Sequence, residues 1–237
     1  METIKIFGFS GKIGVGKNYV SEQIFGKTLY DKGYKIHILA FGDQVKYEFG
    51  SRFNLINDNL INEMDTVYNE LFINKSALTR QKLQYYGTDY CRNGENWKIK
   101  DDFIMYNEPS IWIKGLYLQI KNIISKSYDV SKDIFIISDV RFINEANFIK
   151  SLGGKIIRID APMRNYNKIL EEAQKNYTLE TDINNFIKQI QSHESEINLD
   201  FYDFDYIINN EPYNKQVNGI IEYIIKELIF LKKIENK

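Results

Sequence analysis

Cysteine and histidine are scarce in this sequence, which has Cys91 as its single cysteine and only two histidines. One cysteine excludes a disulfide bond within the chain and fits a reducing compartment, and we expect Cys91 to be an inert thiol. Two histidines and one cysteine are also too few for a typical zinc site. Any metal ion is therefore expected to be oxygen-bound Mg²⁺.

The sequence also lacks an excess of charge and a long apolar run. Its 31 basic and 32 acidic residues give a net charge of −1, so no overall field would hold the protein on a nucleic acid polymer or an anionic membrane. The apolar stretch 220–231 is interrupted by Glu222, Lys226 and Glu227, and no basic and apolar leader opens the chain. We expect a soluble, cytoplasmic protein.

What is present is enough hydrophobic sequence for a full core. The 237 residues are 43% hydrophobic and 14% aromatic, which suits one domain with a smaller insert or lid. Short apolar runs alternate with helical patterns, and this alternation predicts an α/β fold with helices on both faces of a five-stranded parallel sheet. The predicted strands are 3–9, 34–41, 133–138, 155–159 and 205–209. Segment 44–106 is read as a helical insert, and segment 161–193 as a mobile cover.

A glycine-rich loop follows the first predicted strand. Gly11, four further residues and then Gly16-Lys17 match the phosphate-binding pattern G-x-x-x-x-G-K-[ST] except at Asn18, where Ser or Thr is usual. Glycines allow several N–H groups to converge on one anion, and the following helix adds its positive end. The alternative is a glycine turn that binds nothing. The strand before the loop and the helix after it favour phosphate binding.

Polar residues follow the other predicted strands. Asp43 comes after the second strand, and Asp139 and Arg141 close the third, where the carboxyl ends of parallel strands border a ligand site. One interpretation places Asp139 near Mg²⁺ and Arg141 on an acceptor phosphate. The other is a structural ion pair, either Asp139 with Arg141 or Arg141 with Glu145.

Several motifs together carry a family resemblance. They are Gly11 to Asn18, Ala40-Phe41-Gly42-Asp43-Gln44-Val45-Lys46, Arg80 with Leu83-Gln84, Gly87-Thr88 and Arg92, Asp139-Val140-Arg141-Phe142 with Asn144-Glu145, and His193-Glu194-Ser195-Glu196. With these motifs, most of the chain resembles the phage-type and virus-type deoxynucleoside monophosphate kinases, P-loop kinases related to animal phosphomevalonate kinase. The resemblance implies a three-layer P-loop kinase fold with a substrate-binding insert and a lid. It also implies ATP and Mg²⁺ as cofactors.

The resemblance also assigns roles to residues. It implies an ATP site in the loop, formed by Gly11, Lys12, Ile13, Gly14, Val15, Gly16, Lys17, Asn18 and Tyr19. For the acceptor it implies phosphate contacts from Lys46, Arg80, Arg92 and Arg141, base contacts from Gln84 and Thr88, and further contacts from Asp43, Trp112 and Glu145. It places Mg²⁺ near Asn18 and Asp139, although Asn18 lacks the hydroxyl or carboxylate that related kinases have there. It makes Lys17, Asp139 and Arg141 the catalytic residues, with Arg158 or Arg164 reaching the transferred phosphoryl group from the lid.

The residues themselves leave alternatives open. Arg80, Gln84 and Thr88 also fit a solvated helix face, Trp112 fits a core position, and Arg158 and Arg164 fit the surface. His193 fits a polar residue at a helix end. A phosphomevalonate or other small-metabolite kinase would share the loop and fold, and so would a binding module that hydrolyses ATP slowly to change partners. The accepted bases, the choice between deoxyribose and ribose, and the choice between monomer and homodimer stay open.

Overall fold

Five strands form one parallel sheet at the centre of the molecule. The computed structural model describes residues 4–52, 71–72, 77–93, 109–212 and 217–235. Its strands are β1 (Lys5–Ser10), β2 (Lys35–Leu39), β3 (Asp133–Val140), β4 (Lys155–Asp160) and β5 (Tyr206–Asn209). Their order across the sheet is β2-β3-β1-β4-β5. The predicted five-stranded parallel sheet is confirmed, and each strand lies within two residues of its predicted range.

Strand β1 is the central strand because both of its faces are apolar. It pairs with β3 on one side, where Lys5 faces Ile134 and Gly8 faces Ile137, and with β4 on the other. Strands β1, β3 and β4 are almost entirely buried, whereas the edge strands β2 and β5 are partly exposed. The loop after β1 therefore opens at the middle of the carboxyl edge of the sheet, which is the usual ligand position in open α/β sheets.

Helices surround this sheet. They are α1 (Lys27–Asp31), α2 (Phe41–Arg52), α3 (Ala77–Gln84), α4 (Ile111–Ser125), α5 (Ile143–Ser151), α6 (Pro162–Asn176), α7 (Glu180–Ser192), α8 (Glu194–Ile197) and α9 (Val217–Glu235). A π-helical segment, Tyr19–Gly26, precedes α1, another, Tyr85–Tyr90, follows α3, and a short 3₁₀ turn spans Val130–Lys132.

The structure differs from the sequence-based predictions at three places. The second strand ends at Leu39 because Phe41 already begins α2, where the Asp139 carboxylate accepts its first amides. Helix α5 begins at Ile143 rather than 141, because the Glu145 side chain accepts the amides of the two residues before it. The expected cover 161–193 folds as the helix pair α6 and α7. Of the expected insert 44–106, residues 53–70, 73–76 and 94–106 lie outside the described residues.

Side chains alternate between two main cores, one on each face of the sheet. On one face Ile6 and Phe135 pack with Trp112 and Leu116 of α4. On the other face Phe7, Phe9 and Ile134 are among the side chains that pack with α9. A third cluster joins Ile13 of the glycine-rich loop to Ile169 of α6 and to Phe186 and Ile190 of α7. The α6–α7 pair is thus packed on the loop itself.

Within the described ranges, we find no helix with the length and apolar character needed to span a bilayer.

Candidate active site

The glycine-rich loop has the backbone shape that its sequence predicts. Gly14 and Gly16 have φ angles of +77° and +86°, a region that side chains disfavour. A Cβ atom at residue 16 would also lie 2.6 Å from Nδ2 of Asn210. Only glycine fits there, because both the backbone angle and the space exclude a larger residue.

Lys17 lies against the inside of this loop. Its side chain is buried, and Nζ donates hydrogen bonds to the carbonyl oxygens of Gly11 at 2.6 Å and Lys12 at 2.9 Å. The pKa of Lys17 is lowered to about 7, mainly by burial and also by the nearby Arg141, while the Glu196 carboxylate acts in the opposite direction. In this arrangement Lys17 therefore loses its proton more easily than an ordinary lysine.

Three side chains from the last third of the chain hold the loop backbone. The amide of Ile13 donates to Glu196 Oε2 at 2.8 Å, and the carbonyl of Ile13 accepts from Asn165 Nδ2 at 2.7 Å. The carbonyl of Val15 accepts from Asn210 Nδ2 at 2.8 Å. All three side chains are buried. None of the three is predicted as a site residue, although Glu196 belongs to one of the motifs that carry the family resemblance.

Asp139 ends β3 beside the start of α2. Its two carboxylate oxygens accept the amides of Phe41 at 2.7 Å and Gly42 at 2.6 Å, which stabilises the positive end of that helix. Burial raises the pKa of Asp139, although these two amides and Arg141 act in the opposite direction. Asp139 thus joins two neighbouring elements while it faces the cavity described below.

Arg141 binds a residue that neither sequence-based interpretation named. Its Nη1 atom forms an ion pair with Oε1 of Glu196 and lies 3.3 Å from the carbonyl oxygen of Ser195. The expected structural pairs with Asp139 or Glu145 are absent from its side-chain contacts among the described residues. Glu145 instead accepts the backbone amide of Arg141 at 2.8 Å. The Arg141 side chain keeps 27% of its surface exposed.

Arg92 and Glu145 form a second arginine–glutamate pair with little exposure. Arg92 Nη2 binds Glu145 Oε1, Nη1 donates to the carbonyl of Pro109 at 2.9 Å, and the guanidinium lies 4.1 Å from the centre of the Phe142 ring. Burial is the main cause that raises the pKa of Glu145 to about 7, against the opposing effect of the Arg92 charge. The contacts of Arg92 are those of a structural residue, so its expected phosphate contact stays a prediction without support from this geometry.

A cavity of about 570 Å³ connects these groups. The predicted site residues that line it are Ile13, Gly14, Lys17, Asn18, Asp43, Lys46, Arg80, Gln84, Thr88, Arg92, Trp112, Asp139, Arg141 and Glu145. Gly11, Lys12, Val15, Gly16 and Tyr19 of the loop do not line it. Residues that the sequence analysis did not assign to the site also line it, among them Glu22, Phe72, Lys168 and Glu196. The loop and the expected acceptor residues thus share one cavity.

The expected acceptor residues are themselves paired. Lys46 binds Asp43 at 2.5 Å within α2, and Arg80 Nη2 lies 3.3 Å from Glu172 Oε1 of α6. Trp112 is buried, and its Nε1 donates to the carbonyl of Gly87 at 2.9 Å, so most of the indole belongs to the core. The cavity wall therefore combines paired charges with aromatic and aliphatic surface.

The two arginines assigned to the lid lie near the glycine-rich loop. The Arg164 guanidinium would be 3.6 Å from a Cβ atom at residue 16, and the Arg158 charge adds to burial in lowering the pKa of Lys17. Arg158 is a buried residue of β4, within the predicted strand 155–159, where it binds Asp160 at 2.8 Å and lies 3.6 Å from Asp200. Its contact with a transferred phosphoryl group stays a prediction. Arg164 is in the first turn of α6 and donates to the carbonyl of Asn210 at 3.1 Å. Neither side chain lines the cavity.

The oxygen donors at the cavity suit a partly hydrated Mg²⁺ ion better than an ion enclosed entirely by protein ligands. Among the described residues, no group of three or more histidine, cysteine, aspartate or glutamate side chains could hold an ion by itself. Asp139 and the exposed Asn18 offer a carboxylate and an amide oxygen beside Lys17. Mg²⁺ usually takes one or two protein oxygens and fills its remaining positions with water and phosphate oxygens.

Comparison with known proteins gives one partial relative. No family model matches the chain. A protein of Acanthamoeba polyphaga mimivirus, provisionally described as a deoxynucleotide monophosphate kinase, is 37% identical over 83 residues. The match spans 35% of this chain and 39% of the relative. The predicted resemblance to this group of kinases is confirmed over that part.

Solved structures give distant similarities. A dephospho-CoA kinase from Campylobacter jejuni matches with a TM-score of 0.43 and 15% identity, over 94% of this chain and 96% of its own. A shikimate kinase from Bacteroides thetaiotaomicron matches with a TM-score of 0.39 and 12% identity, over 95% and 98% of the two chains. TM-scores at this level support no argument about the site.

Proposed function

We propose that this protein transfers the γ-phosphoryl group of ATP to the phosphate of a deoxynucleoside 5′-monophosphate. The observation that carries the proposal is the cavity lined by both Lys17 of the phosphate loop and Arg141 of the β3 end. These two charges are close enough for Arg141 to lower the pKa of Lys17. A donor phosphate on the loop and an acceptor phosphate on Arg141 would therefore be neighbours.

The acceptor chemistry suits a site without a general base. The second pKa of a phosphate monoester is about 6, so the acceptor oxygen is already mostly deprotonated at neutral pH. The protein then has to align the two phosphates and stabilise the charge that develops between them. Lys17 would neutralise the β- and γ-phosphates, and Arg141 would hold the acceptor phosphate by two parallel hydrogen bonds.

Mg²⁺ fits the same end of the cavity. Asn18 and Asp139 would hold it, and Asp139 would act mainly through bound water because both of its oxygens already accept amides. When bound, Mg²⁺ supplies positive charge to the β- and γ-phosphate oxygens. Asp139 would keep this end of the cavity aligned with α2.

The cations around the cavity are held in place before any phosphate arrives. Lys46 is paired with Asp43, Arg80 with Glu172 and Arg141 with Glu196. A phosphate would compete with these carboxylates for the same N–H groups, which favours a doubly charged ligand of the right shape over a weaker anion. Lys46 and Arg80 would support the acceptor, while Arg92 would act through Glu145 and the chain around Phe142.

A nucleoside fits the remaining wall of the cavity. Gln84 and Thr88 line it, together with the rings of Phe41, Phe72 and Phe142. Amide and hydroxyl groups can bind the edge of a base, and aromatic rings can contact its face. A phosphomevalonate or other small-metabolite acceptor would not need this surface. The name of the mimivirus relative favours the nucleotide acceptor as well.

The test is a coupled assay that follows ADP formation with ATP and Mg²⁺. Each deoxyribonucleoside and ribonucleoside monophosphate is supplied in turn, with phosphomevalonate and a reaction without acceptor as controls. We expect turnover with at least one deoxynucleoside monophosphate and little ATP hydrolysis without acceptor. Turnover with phosphomevalonate alone would support a metabolite kinase. Equal ATP hydrolysis with and without every acceptor would support a nucleotide-gated binding module.

A further inference from the structure

Glu196 contacts the phosphate loop and the acceptor arginine with the two oxygens of one carboxylate. Oε2 accepts the amide of Ile13 at 2.8 Å, and Oε1 forms the ion pair with Arg141. The residue is 6% exposed, so water does not compete freely for either contact. A single side chain thus connects the two parts of the site that the proposed function assigns to ATP and to the acceptor phosphate.

The backbone around Glu196 is fixed at a corner between two helices. Helix α7 ends before His193, whose Nδ1 accepts the amide of Ser195 at 3.2 Å, and the amide of Glu196 donates to the carbonyl of His193 at 2.8 Å. The carboxylate therefore has little freedom to follow one partner without the other. Movement of the loop at Ile13 would displace it relative to Arg141.

The charges around Glu196 keep it ionised. Burial alone would raise its pKa, but Arg141 and Lys17 together hold the pKa below its ordinary value, and the Ile13 amide acts in the same direction. A negative oxygen binds an amide and a guanidinium about twice as strongly as a neutral one would. Both contacts are therefore strong enough to transmit a displacement.

The backbones of Ile13 and Arg141, the two partners of Glu196, are each held by a further hydrogen bond. The carbonyl of Ile13 accepts from Asn165, and the amide of Arg141 donates to Glu145. The loop and the start of the β3–α5 turn thus each have a second contact, while the Arg141 guanidinium, 27% exposed, lies between Glu196 and the cavity. Glu196 is the contact that sets the position of this guanidinium relative to the loop.

We propose that Glu196 is a positioning residue that couples nucleotide binding on the phosphate loop to acceptor binding at Arg141. This inference rests on the proposed function. Nucleotide on the loop would fix Ile13, Glu196 and then Arg141, so the acceptor would find its arginine already placed. By linkage, the acceptor would strengthen nucleotide binding by the same factor.

The test measures the affinity of a nonhydrolysable ATP analogue with and without each of the four deoxynucleoside monophosphates. In the unmodified protein we expect the acceptor that binds to tighten analogue binding by about fivefold or more, the lower end of typical coupling. Glu196→Gln removes the charge and leaves one acceptor oxygen for two donors, so this ratio should fall to about one. Glu194→Gln, on the same short helix but exposed, is the control and should keep the ratio of the unmodified protein.

Two further variants separate positioning from folding. Glu196→Asp keeps the charge but is too short to reach both partners, so it should also lose the coupling, and it replaces Glu196→Gln if that variant does not fold. In an Arg141→Lys background, Glu196→Gln should lower kcat by much less than it does alone. Coupling that persists in both Glu196 variants, or additive losses in the double variant, would overturn the inference. Failure of every monophosphate to bind would overturn the proposed function instead.

Discussion

Two glutamate–arginine pairs border the same cavity, and they differ in how fully the arginine is enclosed. Arg92 and Glu145 have side-chain exposures of 6% and 2%, whereas Arg141 has 27% and its partner Glu196 has 3%. The Arg92 guanidinium also binds a carbonyl and an aromatic ring. An arginine enclosed in this way joins chain segments, while one with an open side can bind a ligand.

The two glutamates differ in the direction in which their surroundings shift their pKa values. Burial and the Asp139 charge raise the pKa of Glu145 to about 7 despite the opposing charge of Arg92. Glu196 faces both Arg141 and Lys17, so its pKa stays below the ordinary value despite burial. The pair with surplus positive charge is therefore the one that suits an additional anion, such as a phosphate.

The largest expected effect concerns the enclosed pair. Arg92→Met leaves Glu145 buried without its cation, and breaking such a pair typically costs about 3–5 kcal/mol. For a chain of this size we expect the melting temperature to fall by about 10 °C, since 1 kcal/mol corresponds to roughly 2–4 °C. Arg141→Met, measured by the same thermal unfolding, should lower it far less. Equal losses would contradict the distinction between the two pairs.

The second prediction removes Lys17, which acts on Glu196 as a second cation beside Arg141. Lys17→Ala should lower kcat at least about a hundredfold, because Lys17 offsets charge that develops between the β- and γ-phosphates. The fold should remain intact, because burying a charged group is costly and the substitution removes that cost. Lys27→Ala is the control, because Lys27 is an exposed residue at the start of α1 and does not line the cavity. Near-normal turnover in Lys17→Ala would exclude the phosphate-loop assignment.

The third prediction tests Arg141, the more exposed of the two arginines. Arg141→Lys should raise KM for the monophosphate and lower kcat, because lysine cannot reproduce two parallel hydrogen bonds, while ATP binding alone changes little. A hydrogen bond to a charged group is worth about 1.5–3 kcal/mol, so kcat/KM should fall roughly tenfold to a hundredfold. Arg92→Lys should instead lower the melting temperature. If Arg141→Lys lowers it too and weakens both substrates alike, Arg141 is structural.

The smallest effect is a pH dependence of stability caused by Lys17. Its folded pKa of about 7 lies below the ordinary lysine value of 10.5, so the unfolded chain holds this proton between those values and the folded protein does not. Stability should therefore rise with pH in that window, by at most about 1.4 kcal/mol per pH unit. Chemical unfolding of the unmodified protein and of Lys17→Met at pH 7.5 and 8.5 isolates this difference. An identical pH dependence in the two proteins would show that folding does not lower the pKa of Lys17.

The sequence is sufficient for the sheet and the loop because both depend on local patterns. Apolar runs such as Ile134 to Ile137 mark buried strands, and the spacing of Gly11, Gly16 and Lys17 marks the loop. The partners of the charged residues depend on tertiary structure. Glu196 lies 55 residues from Arg141, and no spacing rule connects them.

The partners of Arg158 show the same division. Asp160 lies two residues away on β4 and therefore on the same face of the strand, which the sequence pattern predicts. Asp200 comes from a distant part of the chain, so its contact with Arg158 depends on the fold.

The contacts around the glycine-rich loop also bear on the order of folding. Its backbone is held by side chains that lie 152, 183 and 195 positions further along the chain, from Asn165, Glu196 and Asn210. Contacts this distant in sequence form slowly, because a long loop must close before they can contribute. During synthesis the first βαβ unit would emerge with its nucleotide loop still lacking these three supports. Nucleotide binding by a nascent chain would thus report the docking of its last strand, not the formation of its first.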